Sequence, residues 1–360
     1  MIYLSIFLLY IFGVLSIDKK YFYHFSLLCL CFAMILLPPL VGINSDRADF
    51  APYLQFFRET PDLFSENFFD YAKSQHTELG YNYFQALCKI LFNSASIFFI
   101  LFCFTSFLFR YNFYKKFVSK KDVILCFLAF FSHEFLRKDC VQIRNGFASA
   151  VVLFSLYYLF KNEKIKFVLW IFIASLFQAT ALVALPLLIA KTDCTKKYFR
   201  FLKFLFFVSL IITLVFPIKN LLFVMENFGV LPSTVVNYLY WSDYAKSMSL
   251  FNPQILRQVF ITIFFFIHSK RYFDDKKIFF LFQIYLVSSV YYLVFRDFEI
   301  LAGRFGSLFY AVETPLILLA INQSNHQKIL KKLFLMMFYA CFLILNFFTY
   351  KSLGFKATFY

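Results

Sequence analysis

The sequence predicts an all-α, polytopic integral membrane protein of about 11–12 transmembrane helices, one of them a broken-helix hairpin, with two longer outward loops. Three observations carry that prediction. Apolar side chains make up 61% of the 360 residues and the mean hydropathy is +0.70, beyond what a soluble domain sustains. Apolar runs recur at lengths near the ~20 residues that a helix needs to cross a bilayer. Between them Lys and Arg gather in short blocks, so the positive-inside rule accounts for most of the +16 net charge, and nucleic-acid binding is excluded. The 59 Phe fit lipid-facing positions filled under an AT-rich codon bias better than an aromatic binding surface.

The elements follow in order. Ile2–Ser16 reads as a retained first span, since it lacks the basic start and small-residue cleavage site of a signal peptide. Asp18-Lys19-Lys20 then mark the cytoplasm, and Phe25–Val41 returns outward. Residues 42–92 form the first outward loop, with an acidic balance (Asp46, Asp49, Glu59, Asp62, Glu66, Asp70, Glu78) and apolar residues at helical spacing. Amphipathic helices lying on the membrane surface are expected there. Asn93–Phe109 descends to the basic stretch RYNFYKKFVSKKD, Val123–His133 rises, Glu134–Arg144 connects outside, and Phe147–Phe160 descends to KNEKIK.

Phe167–Ala190 is long enough for one span, yet the block KTDCTKKYFRFLK after it is as basic as KNEKIK before it. Both blocks are cytoplasmic if the segment is a hairpin bent near Gln178, as in helices that break to line a cavity. The other reading is one plain span with a local exception to the charge rule. Phe201–Ile218 rises to the second outward loop, 219–254, whose Tyr238, Tyr240, Trp241 and Tyr244 serve as interface anchors or as a sugar platform. Ile255–His268, Ile278–Phe295, Arg304–Ile321 and Leu333–Tyr350 complete the crossings, and residues 1–360 read as a single transmembrane domain. Cys29, Cys31, Cys103, Cys126 and Cys341 fall within apolar runs, no CxxC occurs and the five His are scattered, so no metal site and no cofactor are expected.

The chemistry concentrates in Phe135–Ala190. Arg137, Lys138 and Arg144 stand at the mouth of an apolar helix, with Arg137 and Arg144 two turns apart and so on nearly one face. Behind them Gly146, Ala148, Ser149 and Ala150 leave room for close packing. Guanidinium groups at a membrane helix end suit anionic partners, phosphates above all; snorkelling to headgroups is the plainer alternative. With this topology Asp46, Asp49, Glu78, Gln142, Gln178, Arg257, Arg296, Asp297, Glu299 and Arg304 also lie outward, and Glu313 lies inside a span. Arginines would neutralise a leaving diphosphate, and a carboxylate would take the proton of an acceptor hydroxyl. Such a set suits glycosyl transfer from a lipid-linked diphosphate. The spacing Asp49-x-x-x-Tyr53 puts both residues on one helical face if that segment is helical.

Four stretches extend this pattern: Gly42…Asp49-x-x-x-Tyr53, Glu78-Leu79-Gly80-Tyr81, Ile143-Arg144-Asn145-Gly146-Phe147-Ala148, and Ile173-Ala174-Ser175-Leu176-Phe177-Gln178-Ala179-Thr180-Ala181. In that order they resemble the EpsG family of Wzy-type polysaccharide polymerases, over roughly residues 42–190, with a looser likeness around Arg304. Asn145 stands where the family commonly has Gln, and Gln178 where it commonly has His; an amide hydrogen-bonds but does not shuttle protons. The resemblance implies an enzyme of the bacterial inner (cytoplasmic) membrane, with an outward-facing active site. It would join undecaprenyl-diphosphate-linked oligosaccharide repeats into capsule, exopolysaccharide or O-antigen. Its partners would be that lipid substrate, membrane lipids, and the flippase and chain-length regulator of the same pathway. Asp49, Glu78 and Arg144 are the expected catalytic residues, and Arg137, Lys138, Gln142, Tyr53, Tyr81, Gln178 and Arg304 the expected substrate-binding ones. A flippase for the same lipid-linked oligosaccharide and a polysaccharide ligase are the alternatives.

Overall fold

The computed structural model describes residues 2–15, 17, 20–45, 49–75, 77–215, 217–229, 239–240, 246–324 and 327–349. Ser16, Asp18, Lys19, Asp46, Tyr238, Trp241, Tyr244 and Tyr350, named above, and His76 and His326 of the five His, lie outside the described residues. In chain order the helices are α1 (Ile2–Leu15), α2 (Lys20–Ile43), α3 (Phe50–Glu59), α4 (Phe68–Ser74), α5 (Leu79–Phe92), α6 (Ala95–Phe117) and α7 (Lys120–His133). A π-helix (Leu136–Val141) precedes α8 (Ile143–Phe160) and α9 (Lys164–Ser175), and a 3₁₀ helix covers Ala179–Ile189. Then come α10 (Lys196–Val215), α11 (Ile218–Asn227), α12 (Pro253–Ile267), α13 (Ser269–Tyr272), α14 (Lys276–Val294), α15 (Glu299–Gly306), α16 (Glu313–Asn322) and α17 (Lys328–Thr349).

The all-helical, polytopic expectation holds, with no strand among the described residues. Six helices are long and apolar enough to cross a membrane, and a seventh span forms if α15 and the helical run Tyr310–Asn322, bent by 45° at their junction, count as one. The other expected crossings fall on shorter helices. The expected span Val123–His133 belongs to α7, whose 14 residues reach about 21 Å at ~1.5 Å per residue, short of a ~30 Å hydrocarbon core. The membrane reading is also written on the surface. Leu28, Phe32 and Ile35 of α2, and Phe204, Phe207, Ile211 and Leu214 of α10, are all more than half exposed. Such stripes have no place in water but match lipid.

The chain divides into two compact units, Met1–Leu182 with Ile317–Tyr360, and Val183–Leu316. In the first, α8 packs against α6 and α9, and α2 packs against α6; α8 is 72% buried, against 17% for the span of α17. Local chemistry sets the helix ends. Ser94 accepts from the Ile97 amide to open α6, and Ser119 accepts from the Asp122 amide to open α7. Asn93 closes α5 in the left-handed region, at φ 44°, which Asn tolerates better than most residues. In the second unit, Gln283 of α14 exchanges hydrogen bonds with the backbone of Lys191 (2.6 and 2.9 Å) and accepts from the Tyr198 hydroxyl at 2.7 Å. Glu313, fully buried, accepts from Tyr285 at 2.9 Å and Tyr310 at 3.3 Å, with Arg257 Nε 3.5 Å away. A membrane-buried carboxylate needs such partners.

Asp122 makes the corresponding tie at the start of α7. Its carboxylate is 1% exposed and accepts from Lys332 Nζ at 2.6 Å and Asn322 Nδ2 at 2.8 Å, fastening α17 to α7. Asp122→Ala strands the Lys332 ammonium, which is only 16% exposed. The expected cost is about 1–3 kcal/mol, read as a lower Tm of the detergent-purified protein; an unchanged Tm would contradict this account of how α17 is held.

Candidate functional site

All four sequence stretches meet at one ion pair in the first unit. Arg144, in the first turn of α8, donates to Glu78 Oε2 at 2.6 Å, with the two side chains 21% and 18% exposed. Glu78 directly precedes α5, and its other oxygen accepts from the backbone amide of Ala179 at 2.9 Å. The acceptor is thus shared between a side chain 66 residues away and a peptide group 101 residues away. Charge-assisted hydrogen bonds of this kind are the stronger class.

Aromatic rings fix the guanidinium from beneath. Its carbon lies 5.6 Å from the centroid of the Tyr81 ring, a cation–π distance, and the Tyr53 side chain hydrogen-bonds Arg144. Tyr53 and Tyr81 have ring centroids 6.3 Å apart. Tyr81 is held in turn: its amide donates to Leu176 O at 3.1 Å, and its hydroxyl accepts from Gln85 at 3.1 Å. Phe147 and Phe177 pack at 4.6 Å, and each contacts Phe102. Arg144 Nε is buried and has no hydrogen-bond partner among the described residues, and the same holds for Thr180 Oγ1.

The segment Phe167–Ala190 breaks where the sequence places the bend. Helix α9 ends at Ser175, Leu176–Gln178 turn, and the 3₁₀ helix starts at Ala179. The break frees the Ala179 amide to reach Glu78 and the Leu176 carbonyl to receive Tyr81. Gln178 is half-buried, next to the amide that Glu78 holds. Asp49 is half-buried ahead of α3, where its carbonyl accepts from the Tyr53 amide at 3.3 Å, so the expected one-face placement of Asp49 and Tyr53 holds.

Arg137 and Arg144 do not share a helix face as the spacing predicts. Arg137 lies in the π-helix, marked by the i→i+5 bond from the Gln142 amide to the Arg137 carbonyl at 2.8 Å. Gln142 then leaves helical geometry (φ −88°, ψ 58°) before α8 begins, and its side chain accepts from Asn145 at 3.2 Å. Lys138 is fully buried, so it does not offer its ammonium at the surface. Burial pushes its pKa below the ordinary lysine range, against the opposing pull of Glu134, whose own pKa burial raises. Arg304 lies on α15 in the second unit and is half-buried there.

Sequence reasoning gave three contributors no role at this site. One is the backbone amide of Ala179, which no side-chain pattern reveals. Another is Arg110, which the sequence reading assigns to a cytoplasmic basic block because it ends the span at Phe109. Instead α6 runs on to Phe117, with Arg110 fully buried in it. The third is Gly80. A Cβ there would lie 2.7 Å from Leu176 Cβ and 2.8 Å from Leu176 O, so only glycine lets α5 approach the end of α9.

The fold and site together define a multi-pass membrane protein with an arginine–carboxylate pair braced on tyrosine at the start of a buried helix. Residues 26–359 match the EpsG family model, and the chain belongs to the EpsG family, a Wzy-like polysaccharide polymerase family. Neither a curated protein nor a solved structure gives a significant match to the chain.

Gly80→Val should force the Leu176 backbone away and break the Tyr81–Leu176 hydrogen bond, at about 1–3 kcal/mol for overpacking. The expected readout is a lower Tm with faster amide exchange at Tyr81. Gly303→Ala, whose added Cβ meets nothing within 4 Å, is the control expected to leave both unchanged; equal effects of the two would contradict the close-approach role.

Proposed function

We propose that this chain is the polymerase that joins undecaprenyl-diphosphate-linked oligosaccharide repeats into a surface polysaccharide, acting from the outer face of the bacterial inner membrane. Family membership supports polysaccharide polymerisation in general. The observation that carries the finer reading is the Arg144–Glu78 pair, set on Tyr81 with the Arg144 Nε–H still to be satisfied. A guanidinium with an unused donor beside a membrane helix start is suited to a diphosphate.

In this mechanism the acceptor sugar hydroxyl attacks the anomeric carbon of the donor sugar. The new glycosidic bond forms as the bond to the diphosphate oxygen breaks, and the electron pair leaves with the diphosphate. Arg144 neutralises that charge as it develops, where it is worth most. Glu78 orients Arg144, and its two oxygens are already taken up by the guanidinium and the Ala179 amide. Asp49, close in sequence to Tyr53, is therefore assigned the hydroxyl proton. Arg137 and Gln142, both half-buried at the mouth of α8, and Tyr53, Tyr81 and Gln178 complete the substrate contacts. Lys138, fully buried, is not among them.

The flippase alternative draws on one observation, the fully buried Glu313 just past the junction of a bent span, a feature that transporters also use. Glycan chain length separates the two. In a deletion strain carrying the wild-type gene a full ladder is expected. Arg144→Ala should lower long polymer at least ~100-fold, the scale of losing one transition-state donor, while single capped repeats persist. Gln178→His should keep the ladder. Full-length polymer from Arg144→Ala would overturn the polymerase reading, and loss of surface-exposed single repeats on deletion would favour the flippase.

A further inference from the structure

Arg110 is a charge with no evident reason to lie where it does. It sits on α6, one of the spans, and is fully buried, with its guanidinium carbon 4.3 Å from the centroid of the Phe130 ring. Such a residue is costly in a membrane and must be matched. Its partners come from three elements. One terminal nitrogen donates to Ser106 on α6 and to Asp139 Oδ1 on the π-helix at 3.1 Å. The other donates to Gly146 O at 3.0 Å and Ser149 Oγ at 3.3 Å, both in the first two turns of α8. Ser106 also donates to the same Asp139 oxygen at 2.6 Å.

The directions of these contacts matter. At about 100° per residue, Gly146 lies about 200° and Ser149 about 140° around α8 from Arg144. Arg110 therefore holds the first turns of α8 from the face opposite Arg144. It also holds the π-helix, whose Lys138 carbonyl would lie only 2.6 Å from a Cβ at Gly146. With one planar fork it sets how far α8 is rotated and how the π-helix abuts it, the two settings that aim Arg144 at Glu78. Asp139 neutralises the fork, which keeps Arg110 a support and leaves Arg144 to meet the anion.

We propose that Arg110, through Asp139, Gly146 and Ser149, is a positioning residue for Arg144; the proposal rests on the polymerase reading above. A lone positive charge is not sufficient for this task. Lysine would satisfy Asp139, but an ammonium lacks the planar fork that spans the Asp139 carboxylate and the Gly146 carbonyl together.

The test uses the full-length protein with Arg110→Lys, Arg110→Met and Arg144→Ala. Glycan ladders are read in the complemented deletion strain, and hydrogen exchange is read on the purified protein in nanodiscs. The expected result is that Arg110→Lys reaches wild-type abundance and loses at least tenfold of the long polymer. Exchange should rise at least tenfold at residues 137–147 and stay unchanged in the middle of α2 and α6. A full ladder from Arg110→Lys overturns the proposal, as does a rise in exchange spread over the whole protein, which would mark a general structural role. Failure of both Arg110 variants to accumulate overturns it for the same reason; if only Arg110→Met fails, Arg110→Lys decides. Were Arg144→Ala to make full-length polymer, the polymerase reading would fall, while local exchange in Arg110→Lys would still show whether Arg110 aims the segment.

Discussion

A single ionic contact organises the first unit of this membrane protein. Arg144 and Glu78 meet at 2.6 Å in a chain that is 61% apolar, and in such surroundings a charge must find a partner. The demand propagates outward. To present Glu78, α5 must start against the end of α9, which requires Gly80. To present the Ala179 amide, α9 must stop at Ser175. To present Arg144, α8 must begin where it does, behind a π-helix that ends at Val141. π-Turns are frequent where a functional side chain has to be re-aimed, and this one stands directly before the arginine.

Beneath that contact lies a second, fully enclosed ionic cluster. Arg110 and Asp139 are sealed from solvent, whereas Arg144 and Glu78 each keep about a fifth of their side-chain surface open. The difference in exposure divides the labour. A sealed pair rigidifies its surroundings and cannot exchange its partner cheaply. A half-open pair can take on an incoming phosphate at lower cost, because solvent already reaches it. The second unit carries its own sealed arrangement, with Glu313 held by Tyr285 and Tyr310 and faced by Arg257.

Much of this was legible in the residues. The helical class follows from apolar runs, and short basic turns separate several of the apolar helices. The break near Gln178 was readable because two basic blocks flank one apolar segment. Glu78, Tyr53, Tyr81 and Arg144 were each singled out by motif, and the fold gathers them. Other features were hidden for physical reasons. Periodicity assumes 3.6 residues per turn, so Arg137 and Arg144 read as one face until the π-helix changed the count. A run rich in Lys and Arg looks cytoplasmic throughout, so Arg110 was grouped with Lys115 and Lys116 although its side chain is buried about a turn and a half earlier. The Lys138 charge gave no sign of pointing inward, since its partner Glu134 lies one helical turn back in a stretch that reads as a loop. Backbone contributions such as the Ala179 amide have no signature in side-chain pattern.

The central claim is that the braced Arg144 guanidinium is the diphosphate-binding group. Its most direct test is the affinity of undecaprenyl diphosphate for the purified full-length protein in nanodiscs, wild type against Arg144→Lys. The account predicts at least tenfold weaker binding for the lysine variant, about 1.4 kcal/mol, because a single ammonium cannot hold Glu78 and a phosphate as a planar fork does. Equal affinity in the two proteins would contradict it.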